Sequence, residues 1–513
     1  MKPPLLPFYR TALTALALCV YASALPAKSL NDLYQLAKNS EPGFQIANLE
    51  RDAVRERRAQ AQSAFKPSAS AQANYGKGWN GELENSGSNS GYTVSLNYQI
   101  YNRSRDIVLT QTERAIEKTE ANYRNAEQGL MLQVAQLYFT ALRAVDDLVF
   151  SRVAKEAIGK QLEQSRQRFD VGLIAITDVQ ESQAGYDLAI ANEIQAQNAL
   201  DNAYEALREL VGEYHQDLDI LTDAIDLARP NPEDMEKWVE NALQNNPALA
   251  SIQYDVAIAQ EGINLRRSES YPTLGVTASH GYADQRNGAF RSHGIDNSVA
   301  LALQMPFDLS GRLGAQTREA LIQHNQALDR LEQQRRQVQR STRDAYLNLL
   351  SGISRVKALK QAVVSNETAY SATLTGFDVG TRTSVDVLNA RQALLNAQRN
   401  YASARYSYLT SSLSLKQSAG LLQEEDMQKL GALLEAVPAD KSSLEVVETR
   451  IRGWEQAVES RREEETKKRL AVEEEARKKA EAEAAAAAKA LEEQNKLDPM
   501  LDNYNLDVDL TGY

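Results

Sequence analysis

Residues Gly376–Gln398 read GFDVGTRTSVDVLNARQALLNAQ, and residues Arg168–Ala189 read RFDVGLIAITDVQESQAGYDLA. Both carry Phe-Asp-Val-Gly and then, after five more residues, Asp-Val. Gly172 and Gly380 suit the left-handed conformation that stops a helix. Thr177, with Gln180 three residues on, has the spacing of a capping box that starts the next helix, and Thr383 or Ser384 can cap the helix of the second phrase. Each phrase therefore reads as a helix-turn-helix tip. Asp386 falls in the first turn of its outgoing helix, where the helix dipole favours an acid.

The correspondence extends outward from the tips. Pro42 in NSEPGFQIA matches Pro247 in QNNPALASI, Pro67 in AFKPSASAQANYG matches Pro272 in SYPTLGVTASHGY, and Val94 in VSLNYQ matches Val299 in VALALQ. These pairs share one offset of 205 residues, while the tip phrases differ by 208, so the second copy holds three extra residues in its long helix. One register held over three landmarks is the mark of an internal duplication.

Each copy orders its elements alike. A helical run ends near the second proline, which interrupts helices. Strand-like segments follow: Tyr92, Val94, Leu96, Tyr98 and Ile100 alternate with small polar residues, as do Leu274, Val276, Ala278 and Tyr282, and then Val299, Leu301, Leu303 and Met305. The polar, glycine-rich stretches NGELENSGSNSG and DQRNGAFRSHG between paired strands read as exposed loops. Long helices come next, from Arg103 to about Arg168 and from Leu309 to about Gly376, each about 100 Å long at 1.5 Å per residue. In the second, Leu321, Leu328, Leu349, Val356 and Val363 lie on one heptad line, and Leu331, Val338, Ala345 and Leu359 on the next. Arg335 and Thr342 interrupt this narrow stripe.

The first residues read as a secretory signal: a basic start at Lys2 and Arg10, the apolar run Thr11–Tyr21, and small residues at Ala24 and Ala27. The single cysteine, Cys19, lies inside this run, so a processed chain has no thiol for a disulfide, a zinc-thiolate site or nucleophilic catalysis. No cofactor is expected. His215, His280, His293 and His324 are scattered, without HExxH or GxSxG spacing, which argues against an enzyme. GKGWNG at Gly76–Gly81 matches GxGxxG but runs into a polar loop, not a helix, and reads as a turn. The net charge of −12 weighs against nucleic-acid partners.

An exported chain without an apolar run long enough for a spanning helix either stays outside a membrane or enters it as strands. Four strands cannot close a barrel, and open edges are not tolerated in hydrocarbon. If the strands enter lipid, several chains must share one barrel: three chains give about twelve strands, and four are not excluded. A coiled-coil scaffold in the periplasm and a stand-alone porin are the competing functions. The scaffold leaves lipid-like alternation between the helices unexplained, and a porin would conduct strongly without partners.

The phrases RFDVGLIAITDVQ and FDVGTRTSVDVLNARQAL, the duplication and the proline-strand-hairpin units resemble the TolC-type outer-membrane efflux and secretion channels, over roughly residues 28–425. The resemblance implies a mainly α fold: duplicated long-helix hairpins in a homotrimeric α-barrel, with four β-strands per chain in a shared twelve-stranded transmembrane barrel. On this reading 1–27 is the signal, 28–66 helical, 67–102 and 272–308 the barrel hairpins, and 103–271 the first long helices, with a tip near 169–178 and an equatorial segment near 212–236. The second long helices are 309–425, with a tip near 377–386, followed by an equatorial segment at 426–453 and a charged helical and disordered tail at 454–513. The implied function is an outer-membrane exit duct extending into the periplasm. Its partners are a periplasmic adaptor, an inner-membrane transporter of the RND, ABC or MFS type, and outer-membrane lipid.

Residue by residue, the resemblance places Asp386 in a ring that constricts the pore, with Asn389 where the family pattern has a second acid. Gate links between tips fall at Gln167, Thr177, Asp178, Arg382 and Arg405, with Phe377 where a tyrosine is expected. Gly172, Leu173, Gly380 and Thr381 form the tip turns and the adaptor contact. A solvated helix face is the alternative for both arginines.

Overall fold

The computed structural model describes residues 29–501 except 81–84, 224, 288–289 and 439. The signal segment 1–27 and the end of the tail, 502–513, lie outside the described residues. The first copy consists of α1 (Leu30–Ser40), α2 (Pro42–Ser63), β1 (Ser68–Asn80), β2 (Asn85–Tyr101), α3 (Arg103–Asp170) and α4 (Ile176–Val211). The short strand β3 (Ile220–Leu221) leads into the second copy: α5 (Met235–Asn245), α6 (Pro247–Ser268), β4 (Thr273–Asn287), β5 (Phe290–Gln304), α7 (Arg312–Asp378) and α8 (Ser384–Ser418). The chain continues through α9 (Glu424–Gly431), β6 (Leu434–Glu435) and α10 (Ser443–Leu501). Corresponding helices agree in length to within one residue, with 68 in α3 and 67 in α7, and 36 in α4 and 35 in α8. The extra residues of the second copy therefore lie not in its long helix, as the offsets suggest, but before it, where 305–311 join β5 to α7 and Asn102 alone joins β2 to α3.

The run before each strand pair is two helices where the periodicity suggests one. Pro42 and Pro247 each stand at the first turn of a new helix, where the missing N–H costs nothing. The side chains of Glu41 and Asn246 cap those helices. Asp308 starts α7 by accepting from the N–H groups of Arg312 (3.0 Å), Leu313 (2.8 Å) and Gly314 (3.3 Å).

Strands from both copies form one antiparallel sheet in the order β1-β2-β4-β5, so β1 and β5 are its edges. Register sets Leu96 opposite Ala69 and Ala278, and Ala278 opposite Val299. Tyr98, Val276 and Leu301 share that apolar face, while Ser70, Ser95, Ser279 and Ser298 form a row across the other. The two loops are shorter than their composition suggests. Gly76–Asn80 of the GxGxxG match, which reads in sequence as a turn, and Asn85–Gly91, Asp284–Asn287 and Phe290–Gly294 are paired strand, because ladder hydrogen bonds come from the main chain and polar or glycine residues join them when a neighbour is in register. No helix among the described residues is long and apolar enough to cross a membrane.

The core sits at the waist, where α3, α7, α8 and the segments around β3, β6 and the start of α10 pack together. Tyr138, Leu142, Leu148, Leu207, Leu218 and Leu413 are fully buried there. Val338, Ala345, Leu349 and Val356 of the heptad stripe are buried as the spacing predicts. Nearer the sheet the stripe differs: Leu321 and Leu328 are exposed, and Ala320 and Ala327 are buried. There α7 packs against α6, and small residues let two helices approach. Thr342 does not interrupt the packing. It is wholly buried, and its hydroxyl donates to the Ser418 carbonyl at 3.4 Å. The tail is helical through Leu501, into the stretch whose composition suggests disorder, because the strong helix formers upstream propagate it.

Candidate functional site

Two tips of matching construction join α3 to α4 and α7 to α8. In the first, Gly172 has φ +76°, its N–H donates to Phe169 O at 2.8 Å, and Leu173 N–H donates to Arg168 O at 2.9 Å. In the second, Gly380 has φ +78°, its N–H donates to Phe377 O at 3.0 Å, and Thr381 N–H donates to Gly376 O at 2.8 Å. This paired bonding satisfies the last carbonyls of each incoming helix. The tips also expose apolar side chains, including Val171, Leu173, Ile176, Val379 and Val385.

The outgoing helices start differently. Thr383 caps α8 with a reciprocal box: its hydroxyl accepts from Asp386 N–H at 3.1 Å, and Asp386 Oδ2 accepts from Thr383 N–H and Oγ1, both at 2.9 Å. These bonds from Thr383, with the nearby Arg382 charge, hold the Asp386 carboxyl below its ordinary range. The capping box expected at Thr177 and Gln180 does not form. The first copy's N-cap is Ala175, whose side chain cannot accept a hydrogen bond, and α4 begins at Ile176, so Thr177 already lies inside the helix. Asp178 thus holds the same third helical position as Asp386 without a cap partner. It is exposed, and its Oδ1 accepts from Thr177 Oγ1 at 3.5 Å.

Arg382 is exposed on the second tip, its stem packed over Gly376. Among the described contacts none joins it to Asp178 within the protomer. Gln167 stays on its own helix face, donating to Glu163 at 3.2 Å. Phe377 carries the contact between tips in this protomer, with the Arg168 guanidinium 5.4 Å from its ring centroid. Arg168 is the residue missed in sequence; its place at the end of α3, level with Phe377 at the end of α7, was the available signal. Asp178 and Asn389 share a groove of about 730 Å³ between α3, α4 and α8, together with Gly185, Leu188 and Val385.

Arg405 does not belong to the tips. It lies 22 residues past Thr383 in the sequence, roughly 30 Å along α8, buried at the waist. Its guanidinium donates to the Thr222 carbonyl and lies over the Tyr401 ring. Beside it Asp146 is buried, with Tyr406 Oη donating to it at 2.8 Å; burial raises the Asp146 pKa to about 7, against the lowering effect of Tyr406 and Arg405. No cluster of metal-ligating side chains occurs among the described residues.

A sequence profile described as outer membrane efflux protein matches residues 33–213 and 238–421, nearly all of both copies. The chain belongs to the outer membrane efflux protein family. Among its relatives, Outer membrane protein TolC of Vibrio cholerae is 34% identical over 83% of this chain and 98% of that protein. The Alkaline protease secretion protein AprF of Pseudomonas aeruginosa is 29% identical over 79% of this chain and 87% of its own length. The crystal structure of the outer membrane protein VceC from Vibrio cholerae shares the fold, with a TM-score of 0.63 at 19% identity over 76% of this chain and 96% of that one. This member of the family is an outer-membrane exit duct of the kind that serves efflux or type I secretion, extending into the periplasm. The family consists of channel proteins rather than enzymes, and its TolC-like members work as trimers with an adaptor and an inner-membrane transporter.

Proposed function

We propose that the two tips form the gate at the inner end of the trimeric duct, and that Arg382 of one protomer closes it by binding Asp178 on a neighbouring protomer's tip. The contrast between the two third-position aspartates supports this reading most. Thr383 satisfies Asp386, whereas Asp178 faces solvent with only a long contact to Thr177. A guanidinium can reach both Asp178 and the Thr177 hydroxyl. Arg168 over Phe377 adds a cation–π link within each protomer in place of the absent tyrosine hydroxyl, on the order of 0.5–1 kcal/mol at an exposed site.

Asp386 is the constriction residue in this proposal. Its Oδ2 is engaged by Thr383, and Oδ1 is left for a passing cation. Carboxylates crowded around an axis repel and bind protons more readily, and the cap opposes that rise. Asn389, one turn on, contributes no charge to the ring. The exposed apolar residues at Leu173 and Val379, with the turns at Gly172, Gly380 and Thr381, form the face that the adaptor engages to open the gate. The transporter beneath is of the RND, ABC or MFS type.

Planar-bilayer recording of trimers tests both roles. Arg382→Ser is expected to raise single-channel conductance: an exposed ion pair contributes about 0–1 kcal/mol, and threefold symmetry multiplies the loss. Asp386→Asn should abolish most of the preference for cations. Unchanged conductance in the first variant removes the latch, and unchanged selectivity in the second removes the constriction role.

A further inference from the structure

The hairpin end of the sheet carries a row of cations on the face that meets lipid. Register sets Lys77 opposite Ser88, Ser88 opposite Arg286, and Arg286 opposite Arg291. Residues directly opposite share a face, and faces alternate along each strand. The row therefore lies on the side that presents Leu96, Ala278, Val299 and Leu301. Moving toward the helices, the next row on this face is Tyr75, Ser90, Asp284 and His293, and the one after is Ala73, Tyr92, Tyr282 and Ile295.

The heights match a membrane boundary. From Leu303 to Ile295 this face of β5, apolar except at Asn297, which pairs with His280 at 2.6 Å, runs ~26 Å along the strand, or ~20 Å along the normal at a tilt of ~40°, and exposed Met305 extends it. Tyr92 and Tyr282, with ring centroids 6.3 Å apart, stand at its outer edge as interfacial aromatics do. The cations lie four residues further out, ~10 Å along the normal, and long basic side chains lean back toward a headgroup layer of ~5–8 Å. Because the helices join the sheet at Ser68 and Tyr101, the hairpin end faces the exterior.

The charge of this row opposes that of the whole chain, which is −12. At the described strand positions of this face, Asp284 is the one carboxylate. Arg291 donates to it at 3.0 and 2.8 Å, and Arg286 lies 3.8 Å away. Arg286 remains about half exposed. Lys77 is exposed, with its ammonium 5.8 Å from the Trp79 ring centroid. Strands are ~4.8 Å apart, so Arg286 and Arg291 sit side by side and Lys77 stands ~10 Å away from Arg286.

We propose that this row binds a phosphorylated lipid of the outer leaflet whose headgroup carries two phosphate groups about 10 Å apart. Arg286, beside the Arg291–Asp284 ion pair, forks one phosphate, Lys77 meets the other as a point charge, and the apolar face below packs against the acyl chains. The proposal rests on the outer-membrane placement, which cysteine labelling within the apolar band tests separately.

The experiment is native mass spectrometry of the detergent-solubilised trimer, with four additions: bis-phosphorylated lipid A, its monophosphorylated form, zwitterionic phosphatidylcholine, and inorganic phosphate. Native trimer is expected to retain the bis-phosphorylated lipid. Lys77→Gln should weaken retention roughly tenfold, the loss of one charge-assisted contact, and bring it to the level of the monophosphorylated form. Lys77→Arg should restore the preference for two phosphates. Lys77→Gln combined with Arg286→Gln should lose both glycolipids; Arg291 is kept because it neutralises Asp284. If the double variant does not assemble, the single Lys77 variants decide. Equal retention of phosphatidylcholine, competition by inorganic phosphate at equal concentration, or unchanged retention by Lys77→Gln overturns the proposal.

Discussion

Asp146 and Tyr406 make a polar contact where α3 crosses α8, inside an otherwise apolar waist. Burial penalises the carboxylate and outweighs the hydrogen bond from Tyr406 and the charge of Arg405, moving the pKa from 3.8 to about 7. A carboxyl whose pKa is raised on folding contributes stability below about pH 4, and that contribution is lost as pH rises through about 7. Asp146→Asn keeps an acceptor for the Tyr406 hydroxyl and cannot ionise. The thermal dissociation temperature of the variant should therefore match that of the native trimer near pH 4 and exceed it at pH 8, by an amount corresponding to a few kcal/mol. A constant difference between the two proteins across this range would show that Asp146 does not ionise at the waist. The tips supply the other lesson at this scale: Ala175 against Thr383, one methyl against one hydroxyl, decides whether the acid three residues on is free or bound.

Four left-handed glycines, Gly172, Gly212, Gly380 and Gly420, follow the long helices α3, α4, α7 and α8, and their surroundings differ. Beside Gly172 and Gly380 a methyl group meets open space, whereas beside Gly420, with φ +72°, it lies 2.4 Å from the Asn245 carbonyl oxygen. That approach fixes the end of α8 against the corner between α5 and α6, where Asn246 Nδ2 also donates to Ser418 O at 2.9 Å. Gly380→Ala should thus cost about 1 kcal/mol of backbone strain and leave assembly intact. Gly420→Ala adds a backbone collision to the same strain and should cost several kcal/mol. Urea titration of trimer dissociation compares them directly; equal midpoints would show that the α5–α6 corner yields to the methyl group without cost.

A four-stranded sheet with open edges at β1 and β5 and one apolar face has no stable place in lipid as a single chain. Closure by three copies removes the edges, and the same symmetry arranges six helix-pair tips in a ring. Leu96 and Leu301 stand on the apolar face, and both are exposed in the protomer. Single cysteines at either position, in assembled trimers, should react with lipid-soluble thiol reagents and resist water-soluble ones. Equal labelling by an aqueous reagent would put this face in water and remove the barrel.

The sequence by itself determined the repeat, the helix-turn-helix tips, the four strands and their alternation, because these are written in spacings of a few residues: a glycine at a helix end, a proline at a helix start, an apolar residue every second position. The family resemblance rested on the same local phrases. What it left undecided depends on residues far apart in the chain. The pairing of β2 with β4, the burial of Ala320 and Ala327 in place of Leu321 and Leu328, and the hydrogen-bonded seat of Thr342 each follow from which faces meet. Arg405 shows the limit most clearly. Its sequence context is an ordinary polar helix, and only the packing of α8 against the chain around Thr222 buries it at the waist. A helix records along its own length which residues share a stripe, but not how far from its end a neighbour will cover that stripe. The tertiary structure decides that distance, because it is set by the contacts of both partners.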